Sequence, residues 1–317
     1  MIFKSVTDVC AQSSFLQLGG VLPDDPVFVK LEGLNLAGSI KLKTARALLA
    51  DLEGRGILRP GSEIIESSSG NMGIALAMAS AAAGYQFTCV SDPNILPATA
   101  RVIEALGARL ITVTVSAEVG GYVQTRVNLI AQMIDENPRL VWPNQYANPA
   151  NSAAHYQTTG PEILAQFPKV DWVFIGTGTT GTAMGCARFL REHSPHTKVI
   201  GVDPVGSVTF GGTAAPRFLP GIGSSKRPAL ADESLLHGVL RVGERETIAM
   251  CQDLARRHGL LLGASSGTVL AAIKMNAAAI RVGSTVVAIA ADFGERYLDT
   301  LYNPQWIHNT YGPVSPT

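Results

Sequence analysis

Residues 172–182, WVFIGTGTTGT, combine a buried strand, a turn and the start of a helix. The apolar run Trp172–Ile175 has no polar break, which is typical of a strand covered on both faces. The glycines and threonines that follow let the backbone approach a ligand and add hydroxyl donors, and a helix N-terminus favours an anion. The stretch therefore predicts an α/β fold with a phosphate-binding loop at the carboxyl end of a strand.

The alternation of short apolar runs and Ala-rich stretches continues along the chain. It predicts strands at Val27–Leu31, Glu63–Glu66, Gln86–Val90, Arg109–Val115, Trp172–Ile175, Lys198–Val202, Val239–Val242 and Thr285–Ala290. It predicts helices at Lys41–Glu53, Asn71–Ala83, Pro97–Leu106, Tyr122–Glu136, Ser152–Gln166, Thr182–Glu192, Glu244–Arg257 and Gly267–Ala279. Strands and helices in alternation indicate parallel sheets joined by right-handed crossovers.

Length and composition limit the class of protein. A chain of 317 residues is long enough for about two domains. Its 25 basic and 25 acidic residues cancel, so no basic field suggests a nucleic-acid partner. No apolar run reaches the roughly 18 residues of a membrane helix, and the first residues, MIFKSVTDVCAQSS, lack the apolar core of a signal peptide. We therefore expect a soluble, cytoplasmic protein without nucleic-acid or membrane partners.

The cysteines and histidines predict no metal site. Four cysteines, Cys10, Cys89, Cys186 and Cys251, lie far apart without a CxxC pair, and the six histidines are scattered. This pattern is more typical of buried thiols in a reducing compartment than of disulfides or zinc ligands.

The loop Asn35–Lys41, NLAGSIK, places a lysine in the first turn of a predicted helix. The positive end of the helix dipole disfavours an ammonium group there. Lys41 is therefore a candidate for a lowered pKa and for Schiff-base chemistry. The alternative is an ordinary solvated lysine, and Lys43 is expected to be one.

The loop Glu66–Gly73, ESSSGNMG, follows a predicted strand and opens a helix. Ligands of open α/β sheets bind at this end of the strands. The hydroxyls of Ser67, Ser68 and Ser69, together with backbone N–H groups, suit a carboxylate or a phosphate. A simple helix cap would account for one serine and one glycine but not for the whole polar run.

Two further loops leave alternatives open. Gly176, Gly178 and Gly181 fit the dinucleotide pattern GxGxxG, and Asp203 ends the next predicted strand about 20 residues later. A nicotinamide-binding oxidoreductase is therefore an alternative. The fourth loop, Gly263–Thr268, precedes a helix that Ser265 or Ser266 would cap.

Taken together, the loops resemble those of the fold-type II pyridoxal-phosphate enzymes, in particular the cysteine synthase and cystathionine β-synthase group. The motifs that carry the resemblance extend from about Ser14 to Trp306 and are LNLAGSIK, ESSSGNMG, NQYANPAN, HYQTTGPEI, GTGTTGT, GIG, GASSG and GERYLDT. The dinucleotide alternative gives no role to Lys41 or to the serine loop, so the resemblance favours the pyridoxal-phosphate reading.

The resemblance implies an α/β fold of the tryptophan synthase β type, with two three-layer αβα domains that each contain a parallel sheet. Residues 35–145 would form a smaller, mobile N-terminal domain. Residues 1–34 and 146–317 would form a larger domain that anchors pyridoxal 5′-phosphate. A homodimer is expected on the same ground.

The resemblance also implies roles for individual residues. Lys41 would hold the cofactor as a Schiff base and take the Cα proton, Asn71 would hydrogen-bond the pyridoxal 3-oxygen, and Ser265 would face the pyridine nitrogen. The cofactor phosphate would bind to Gly178, Thr179, Thr180, Gly181 and Thr182. The amino-acid carboxylate would bind to the loop residues Ser67, Ser68, Ser69, Asn71 and Met72 and to Gln145.

The residue types fit β-elimination followed by replacement. A serine hydroxyl does not stabilise a protonated pyridine nitrogen as a carboxylate would, so the ring is a weaker electron sink. Negative charge at Cα is then relieved by loss of a β-leaving group, giving an aminoacrylate that a nucleophile attacks.

The chain departs from the family pattern at several places. These are Ser14-Phe15, Leu36, Leu42-Lys43, Met72 and Ala291-Asp292-Phe293, where the last segment replaces the usual Pro-Ser-Ser. None of them touches Lys41 or the phosphate loop, so the cofactor chemistry is expected to hold. The departures do put ordinary cysteine synthesis, and with it the sulfide nucleophile, in doubt.

Several features resemble a branch that makes N-(2-amino-2-carboxyethyl)-L-glutamate from O-phospho-L-serine and L-glutamate, a precursor of L-2,3-diaminopropionate in siderophore and antibiotic pathways. Arg126 occupies the position at which this branch binds the substrate phosphate, and a guanidinium fork suits a phosphate. Gly221, Ser224 and Ser225 would contact substrate, and Lys226 and Arg227 would attract a dianionic nucleophile. The alternatives are a solvated helix arginine at position 126 and a surface turn at 226–227.

Other functions stay open at this point. O-acetylserine with sulfide or another nucleophile would use the same chemistry. The nicotinamide oxidoreductase and a catalytically idle scaffold that binds a partner are more distant alternatives.

Overall fold

Two β-sheets organise the part of the chain that the computed structural model describes, residues 2–9 and 13–312. Cys10 lies outside these residues, and Cys89, Cys186 and Cys251 are free, buried thiols. The prediction of two parallel-sheet α/β units is confirmed, with one antiparallel strand added at an edge.

The larger sheet has the strand order β1-β2-β10-β7-β8-β9. Its strands are β1 (Phe15–Leu18), β2 (Val27–Leu31), β7 (Trp172–Gly176), β8 (Lys198–Pro204), β9 (Gly238–Val242) and β10 (Val286–Ala290). All neighbours are parallel except β1 and β2, which pair antiparallel with Phe15 opposite Lys30. The sequence pattern missed β1.

The smaller sheet is parallel throughout and has the order β5-β4-β3-β6. Its strands are β3 (Glu63–Ser67), β4 (Gln86–Ser91), β5 (Arg109–Thr112) and β6 (Leu140–Val141). The pattern missed β6, whose two residues are too short to show a period.

Helices follow the strands nearly as predicted. They are α1 (Lys41–Gly54), α2 (Asn71–Ala83), α3 (Pro97–Ala105), α4 (Gly121–Glu136), α5 (Ala150–Gln157), α6 (Thr159–Gln166), α7 (Gly181–His193), α8 (Glu244–His258), α9 (Ala264–Met275) and α10 (Pro304–Tyr311). α10 was not predicted. No helix of the described residues is both long and apolar enough to cross a membrane.

The predicted helix Ser152–Gln166 is wrong, because α5 ends at Gln157 and α6 begins at Thr159. Pro161 lacks an N–H group, and its ring would clash with the carbonyl of Gln157 in a continuous helix. Thr158 therefore leaves the helical region, with φ −127° and ψ −71°.

Both faces of the larger sheet are covered. Side chains alternate along a strand, so Phe174 faces a core with α8 and α9, whereas Val173 and Ile175 face a core with α6 and α7. This arrangement explains the uninterrupted apolar run of β7.

The smaller sheet is covered in the same way. Ile64 packs with side chains of α1, α2 and α3, and Ile65 packs with Ile130 of α4 on the opposite face. Each sheet therefore forms the middle of three layers, and its strands end at an edge where loops gather.

Helices α5 and α7 approach each other closely at Gly185, a residue of α7 without a side chain. A Cβ at Gly185 would lie 2.2 Å from the backbone oxygen of Ser152 on α5. Distances this short do not occur between such atoms, so any larger residue at position 185 must separate the two helices.

We expect Gly185→Ala to lower the free energy of unfolding by about 1–3 kcal/mol through overpacking. The matched control is Gly54→Ala at the end of α1, where a Cβ would meet nothing within 4 Å. That variant should be neutral or slightly stabilised, because alanine has the higher helix propensity. Urea unfolding measures both, and equal effects would contradict the close contact between α5 and α7.

Candidate active site

Loops from both sheets line one cavity of about 400 Å³. The predicted site residues that line it are Lys41, Ser68, Ser69, Asn71, Met72, Arg126, Gln145, Gly178, Thr179, Thr180, Gly181, Thr182, Gly221, Ser224, Ser225 and Ser265. They lie on loops or helix starts that follow strands, on α4, and on the long segment 205–228. Residues 215–225 of that segment form part of the cavity wall.

Ser67 is the one predicted site residue that does not line the cavity. It is the last residue of β3, and its side chain is fully buried. Its carbonyl oxygen instead accepts a hydrogen bond of 2.8 Å from Gln145 Nε2. Ser67 therefore supports Gln145 through its backbone.

Lys41 begins α1, at the N-terminal position that the sequence predicts. Burial lowers the pKa of its amine to about 8, and the nearby carboxyl of Asp292 opposes this shift. Desolvation, and not the helix dipole that the sequence suggests, is therefore the main cause of the lowered pKa. A substantial fraction of the amine is therefore neutral near physiological pH.

Lys43 is not a solvated lysine, contrary to the prediction. Its Nζ lies 2.9 Å from Glu32 Oε1 and 2.7 Å from Glu162 Oε2, and Lys30 contacts the same two carboxylates. Burial alone would lower the pKa of Lys43, but Glu32 and Glu162 outweigh this and raise it. Lys43 is therefore held charged, in contrast to Lys41.

The loop before α7 has the form of an anion cradle. Thr180 adopts a left-handed conformation with φ 66°, and its buried Oγ has no hydrogen-bond partner among the described residues. A Cβ at Gly181 would lie 2.0 Å from Asn151 Oδ1, so only glycine fits there. The orphaned hydroxyl and the helix N-terminus of α7 fit the phosphate of pyridoxal 5′-phosphate.

Helix α5 supports this loop from behind. Asn151 Nδ2 donates to Thr179 Oγ at 3.1 Å and to the carbonyl oxygen of Gln145 at 2.7 Å. His155 Nε2 lies 3.2 Å from Thr182 Oγ, and burial lowers the pKa of the imidazole well below its usual value. A neutral histidine and an amide thus orient the threonine hydroxyls.

The structure argues against the dinucleotide alternative. Asp203 is the next-to-last residue of β8, but its side chain is fully buried and Oδ1 accepts a hydrogen bond of 3.0 Å from Thr177 Oγ. Its carboxylate therefore supports the glycine loop from within the protein, whereas a ribose-binding carboxylate must be open to the ligand.

Asn71 and Ser265 lie at the N-terminal ends of α2 and α9 and both line the cavity. α9 begins three residues before its predicted start at Gly267, so Ser265 belongs to its first turn. Asn71 Nδ2 donates to Asp292 Oδ2 at 2.7 Å. Burial raises the pKa of Asp292, and hydrogen bonds from Tyr297 and Asn71 oppose the rise.

Arg126 is buried, with 3% of its surface exposed, so the alternative of a solvated arginine is wrong. Its Nη1 lies 3.3 Å from Asp92 Oδ2, which makes an ion pair. Nε and Nη1 have no hydrogen-bond partner within residues 2–9 and 13–312. A buried guanidinium with unused donors beside a cavity is suited to an anionic ligand.

The hydroxyls of Ser224 and Ser225 are used within the protein. Ser224 Oγ donates to the carbonyl oxygen of Lys226 at 2.5 Å, and Ser225 Oγ donates to that of Gly120 at 2.8 Å. Lys226 and Arg227 are exposed and do not line the cavity. Their placement fits the alternative of a surface turn.

Sequence reasoning missed several supporting residues, among them Glu66. This fully buried carboxylate accepts hydrogen bonds from the backbone N–H of Ser67, from Trp142 Nε1 and from the backbone N–H of Gln145. Burial raises its pKa to about 7. Glu66 and His155 lie inside motifs that the sequence analysis quotes, but their roles depend on contacts far along the chain. Asp92 carries no such signal.

The residues of the described chain give no cluster of His, Cys, Asp and Glu that could hold a metal ion. A nucleophilic lysine, a phosphate cradle and an amide in one cavity define instead a site for an aldehyde cofactor that bears a phosphate. The family model of the pyridoxal-phosphate dependent enzymes matches residues 13–292, and the chain belongs to this family of enzymes.

Curated relatives extend over nearly the whole chain. The chain is 40% identical over 310 residues to an N-(2-amino-2-carboxyethyl)-L-glutamate synthase of Ralstonia nicotianae, covering 97% of this chain and 92% of that protein. It is 39% identical to the synthase of the same name from Cupriavidus metallidurans, with the same coverage.

Solved structures show the same fold. An O-ureido-L-serine synthase superposes with a TM-score of 0.88 at 31% identity, covering 99% of this chain and 98% of that one. An O-acetylserine dependent cystathionine beta-synthase from Helicobacter pylori also gives 0.88, at 28% identity, with 95% and 98% coverage.

The lowered pKa of Lys41 predicts how the apo-enzyme takes up its cofactor. Only the neutral amine can attack the aldehyde, so the rate of covalent attachment should rise with pH from 7, reach half its maximum at about pH 8 and level off by about pH 9. Visible absorbance after adding pyridoxal 5′-phosphate measures this rate, and Lys41→Ala is the control without attachment. A rate that still climbs between pH 9 and 10 would contradict the buried amine.

The raised pKa of Glu66 predicts a pH-dependent stability. The unfolded carboxyl titrates near 4.5 and the folded one near 7, so the native state binds the extra proton between these values. Stability should therefore fall as pH rises through this window, by about 3 kcal/mol. Glu66→Gln lacks this titration, so its free energy of unfolding should rise relative to that of the wild type from pH 4.5 to 7. Urea unfolding at several pH values measures this difference.

The control for this experiment is Glu136→Gln, which changes an exposed carboxylate at the end of α4. Its difference from the wild type should change little over the same pH range. A constant difference for Glu66→Gln as well would contradict the assigned titration.

Proposed function

We propose that the enzyme joins O-phospho-L-serine to L-glutamate and produces N-(2-amino-2-carboxyethyl)-L-glutamate and phosphate. In this reaction the Cβ–O bond of phosphoserine breaks, and Cβ forms a bond to the amino nitrogen of glutamate, which loses a proton. The observation that carries the proposal is the buried Arg126, with unused donors, in the wall of a pyridoxal-phosphate site. The name shared by the two curated relatives supports it.

The cofactor would be held at both ends of the cavity. Lys41 would attach it covalently, Asn71 would hydrogen-bond its 3-oxygen, and Ser265 would face its ring nitrogen. Its phosphate would bind to the cradle residues Gly178, Thr179, Thr180, Gly181 and Thr182. When bound, the cofactor supplies an electron sink for the bonds at Cα.

Lys41 would also move the Cα proton. Its Nζ is partly neutral because burial lowers the pKa of the amine, so it can act as a general base near neutral pH. The protonated amine can then return the proton to Cα after the nucleophile has added. Lys43 cannot share this role, because Glu32 and Glu162 hold it charged.

The carboxylate of phosphoserine would bind beside the start of α2. Ser68, Ser69 and Asn71 line the cavity there, and Gln145 faces them from the segment that Glu66 holds. Met72 contributes an apolar surface to the same wall. Hydroxyl, amide and backbone donors together suit a carboxylate at a helix N-terminus.

Arg126 would bind the phosphate of phosphoserine as the leaving group. Asp92 neutralises part of the charge of the guanidinium in the absence of substrate and leaves Nε and Nη1 free of hydrogen bonds. Glutamate would enter along the opposite wall, past Gly221, Ser224 and Ser225.

Further features are proposed from the family resemblance. Residues 35–145 would move as a smaller domain against the larger domain of residues 1–34 and 146–317. The enzyme would be a cytoplasmic homodimer that supplies a precursor for siderophore biosynthesis.

A second candidate is the same chemistry on O-acetylserine. The similarity to the structure of an O-acetylserine dependent cystathionine beta-synthase favours it. An uncharged acetyl group would give Arg126 no anion to bind, so the two candidates differ at this residue.

We expect Arg126→Ala to lower kcat/KM for O-phosphoserine by about 100-fold, because charge-assisted hydrogen bonds are lost. The value for O-acetylserine should change less than threefold. Arg126→Lys should lie between, since lysine keeps the charge without the fork. Release of phosphate and the mass of the product measure the reaction.

The control is Arg101→Ala, which removes an exposed arginine of α3. Arg126→Ala is also combined with Asp92→Asn, so that no unpaired carboxylate stays buried. Equal losses with both substrates would remove Arg126 from phosphate binding. Turnover with O-acetylserine alone would overturn the proposed substrate but leave the cofactor site intact.

A further inference from the structure

The motif Gly294–Thr300 and the adjacent Asp292 have no part in the proposed function, yet they contact two of its residues. Arg296 Nη1 donates to Asn71 Oδ1 at 2.5 Å. Its Nη2 donates to the carbonyl oxygen of Ala37 at 2.7 Å, in the loop that leads to Lys41. One guanidinium therefore joins Asn71 to the loop that carries the lysine.

Asp292 contacts the other end of the same amide. Its Oδ2 accepts hydrogen bonds from Asn71 Nδ2, at 2.7 Å, and from the hydroxyl of Tyr297. Only 2% of the residue is exposed. The backbone oxygen of Asp292 accepts from Gly263 N and from Ser266 Oγ, both at 3.2 Å, which ties it to the turn before Ser265.

These contacts permit one orientation of the Asn71 amide. A flipped amide would place its NH₂ group against the guanidinium of Arg296 and its oxygen against the carboxylate of Asp292. Both charge-assisted hydrogen bonds would be replaced by repulsion. Each replacement would lower the population of the flipped amide several-fold. Asn71 Nδ2 therefore remains a donor, and Asp292 takes one of its two hydrogens.

Two glycines leave room for this arrangement. A Cβ at Gly38, which has φ +67°, would lie 2.7 Å from Arg296 Nη2. A Cβ at Gly263 would lie 1.9 Å from Asp292 Oδ1. Each of the two charged groups thus occupies space that a side chain would otherwise fill, and both glycines belong to motifs that line the site.

We propose that Asp292 and Arg296 are positioning residues that fix the amide of Asn71 so that an N–H faces the 3-oxygen of the cofactor. We call Asn71, Asp292 and Arg296 the amide clamp. The inference rests on the cofactor contact proposed for Asn71 but not on the proposed substrates. Asp292 lies where the chain departs from the pattern of the family that it resembles, so the clamp gives this departure a role.

The clamp has an electronic consequence. A fixed N–H donor stabilises the ionised 3-oxygen, and the long-wavelength absorption band of the bound cofactor requires that ionised form. The ratio of the long-wavelength to the short-wavelength band therefore reports on the orientation of Asn71. It can be read from the resting holoenzyme without any substrate.

The test is an exchange of the two side chains, Asn71→Asp together with Asp292→Asn. In this double variant a carboxylate at position 71 accepts from Arg296 and from the amide at position 292, so the contacts within the clamp are kept. The N–H toward the cofactor is lost. We expect the thermal midpoint of the apo-enzyme to stay near the wild type, while the band ratio falls and cofactor affinity drops about tenfold.

The single variant Asn71→Asp places two carboxylates together, and its thermal midpoint should fall below those of the wild type and the double variant. A midpoint equal to the wild type, or no recovery in the double variant, would overturn the pairing with Asp292. An unchanged band ratio and cofactor affinity in the double variant would overturn the positioning role.

Arg296→Lys tests the clamp if the exchange variant does not fold. Lysine keeps the charge but cannot reach both Asn71 Oδ1 and the Ala37 carbonyl, so the band ratio and the affinity should fall. Arg256→Lys, at an exposed position on α8, is the control and should change neither. A wild-type spectrum for Arg296→Lys would overturn the role of Arg296. If phosphoserine and glutamate fail as substrates while these spectra behave as expected, the clamp stands and the proposed function does not.

Discussion

The close contact between α5 and α7 is the constraint on which the site depends. Gly181 and Gly185 leave no side chain between the helices, so α5 lies directly behind the phosphate loop. Asn151 and His155 of α5 can then support the threonine hydroxyls of the loop. α5 also packs against α1, which carries Lys41. One helix therefore contacts both the phosphate loop and the helix of the lysine.

Two buried lysines that are two positions apart have pKa values shifted in opposite directions. Lys43 meets Glu32 and Glu162, whose charges outweigh desolvation and keep its ammonium form. Lys41 has only the more distant opposition of Asp292, so desolvation prevails and lowers the pKa of the amine to about 8. The charges around each lysine therefore decide the outcome: they make Lys43 a structural cation and leave Lys41 suited to the nucleophile and base roles proposed for it.

Unused hydrogen-bonding groups indicate where ligands bind. The hydroxyl of Thr180 has no hydrogen-bond partner among the described residues, and neither do Nε and Nη1 of Arg126, whose guanidinium is ion-paired with Asp92. Missing hydrogen bonds at buried groups cost free energy unless a ligand supplies them. Both residues line the cavity, and we propose that they bind two different anions, the cofactor phosphate and the leaving group. The amide clamp joins loops of the two sheets at Asn71, because Asp292 and Arg296 follow β10 of the larger sheet and Asn71 begins α2, which follows β3 of the smaller sheet.

The sequence alone determined the parallel α/β fold, Lys41 and the glycine and threonine cradle, because each depends on neighbours within one short segment. Apolar runs, helix starts and turn glycines act locally and can be recognised in order along the chain. Tertiary structure decided the rest. Whether Lys43 is solvated, whether Ser67 faces the cavity, and whether the predicted helix 152–166 is continuous depend on distant carboxylates, strand orientation and the position of Pro161. Glu66, His155, Asp292 and Arg296 support the site through contacts with residues far along the chain, and only the folded arrangement of the two sheets brings such groups within hydrogen-bond distance.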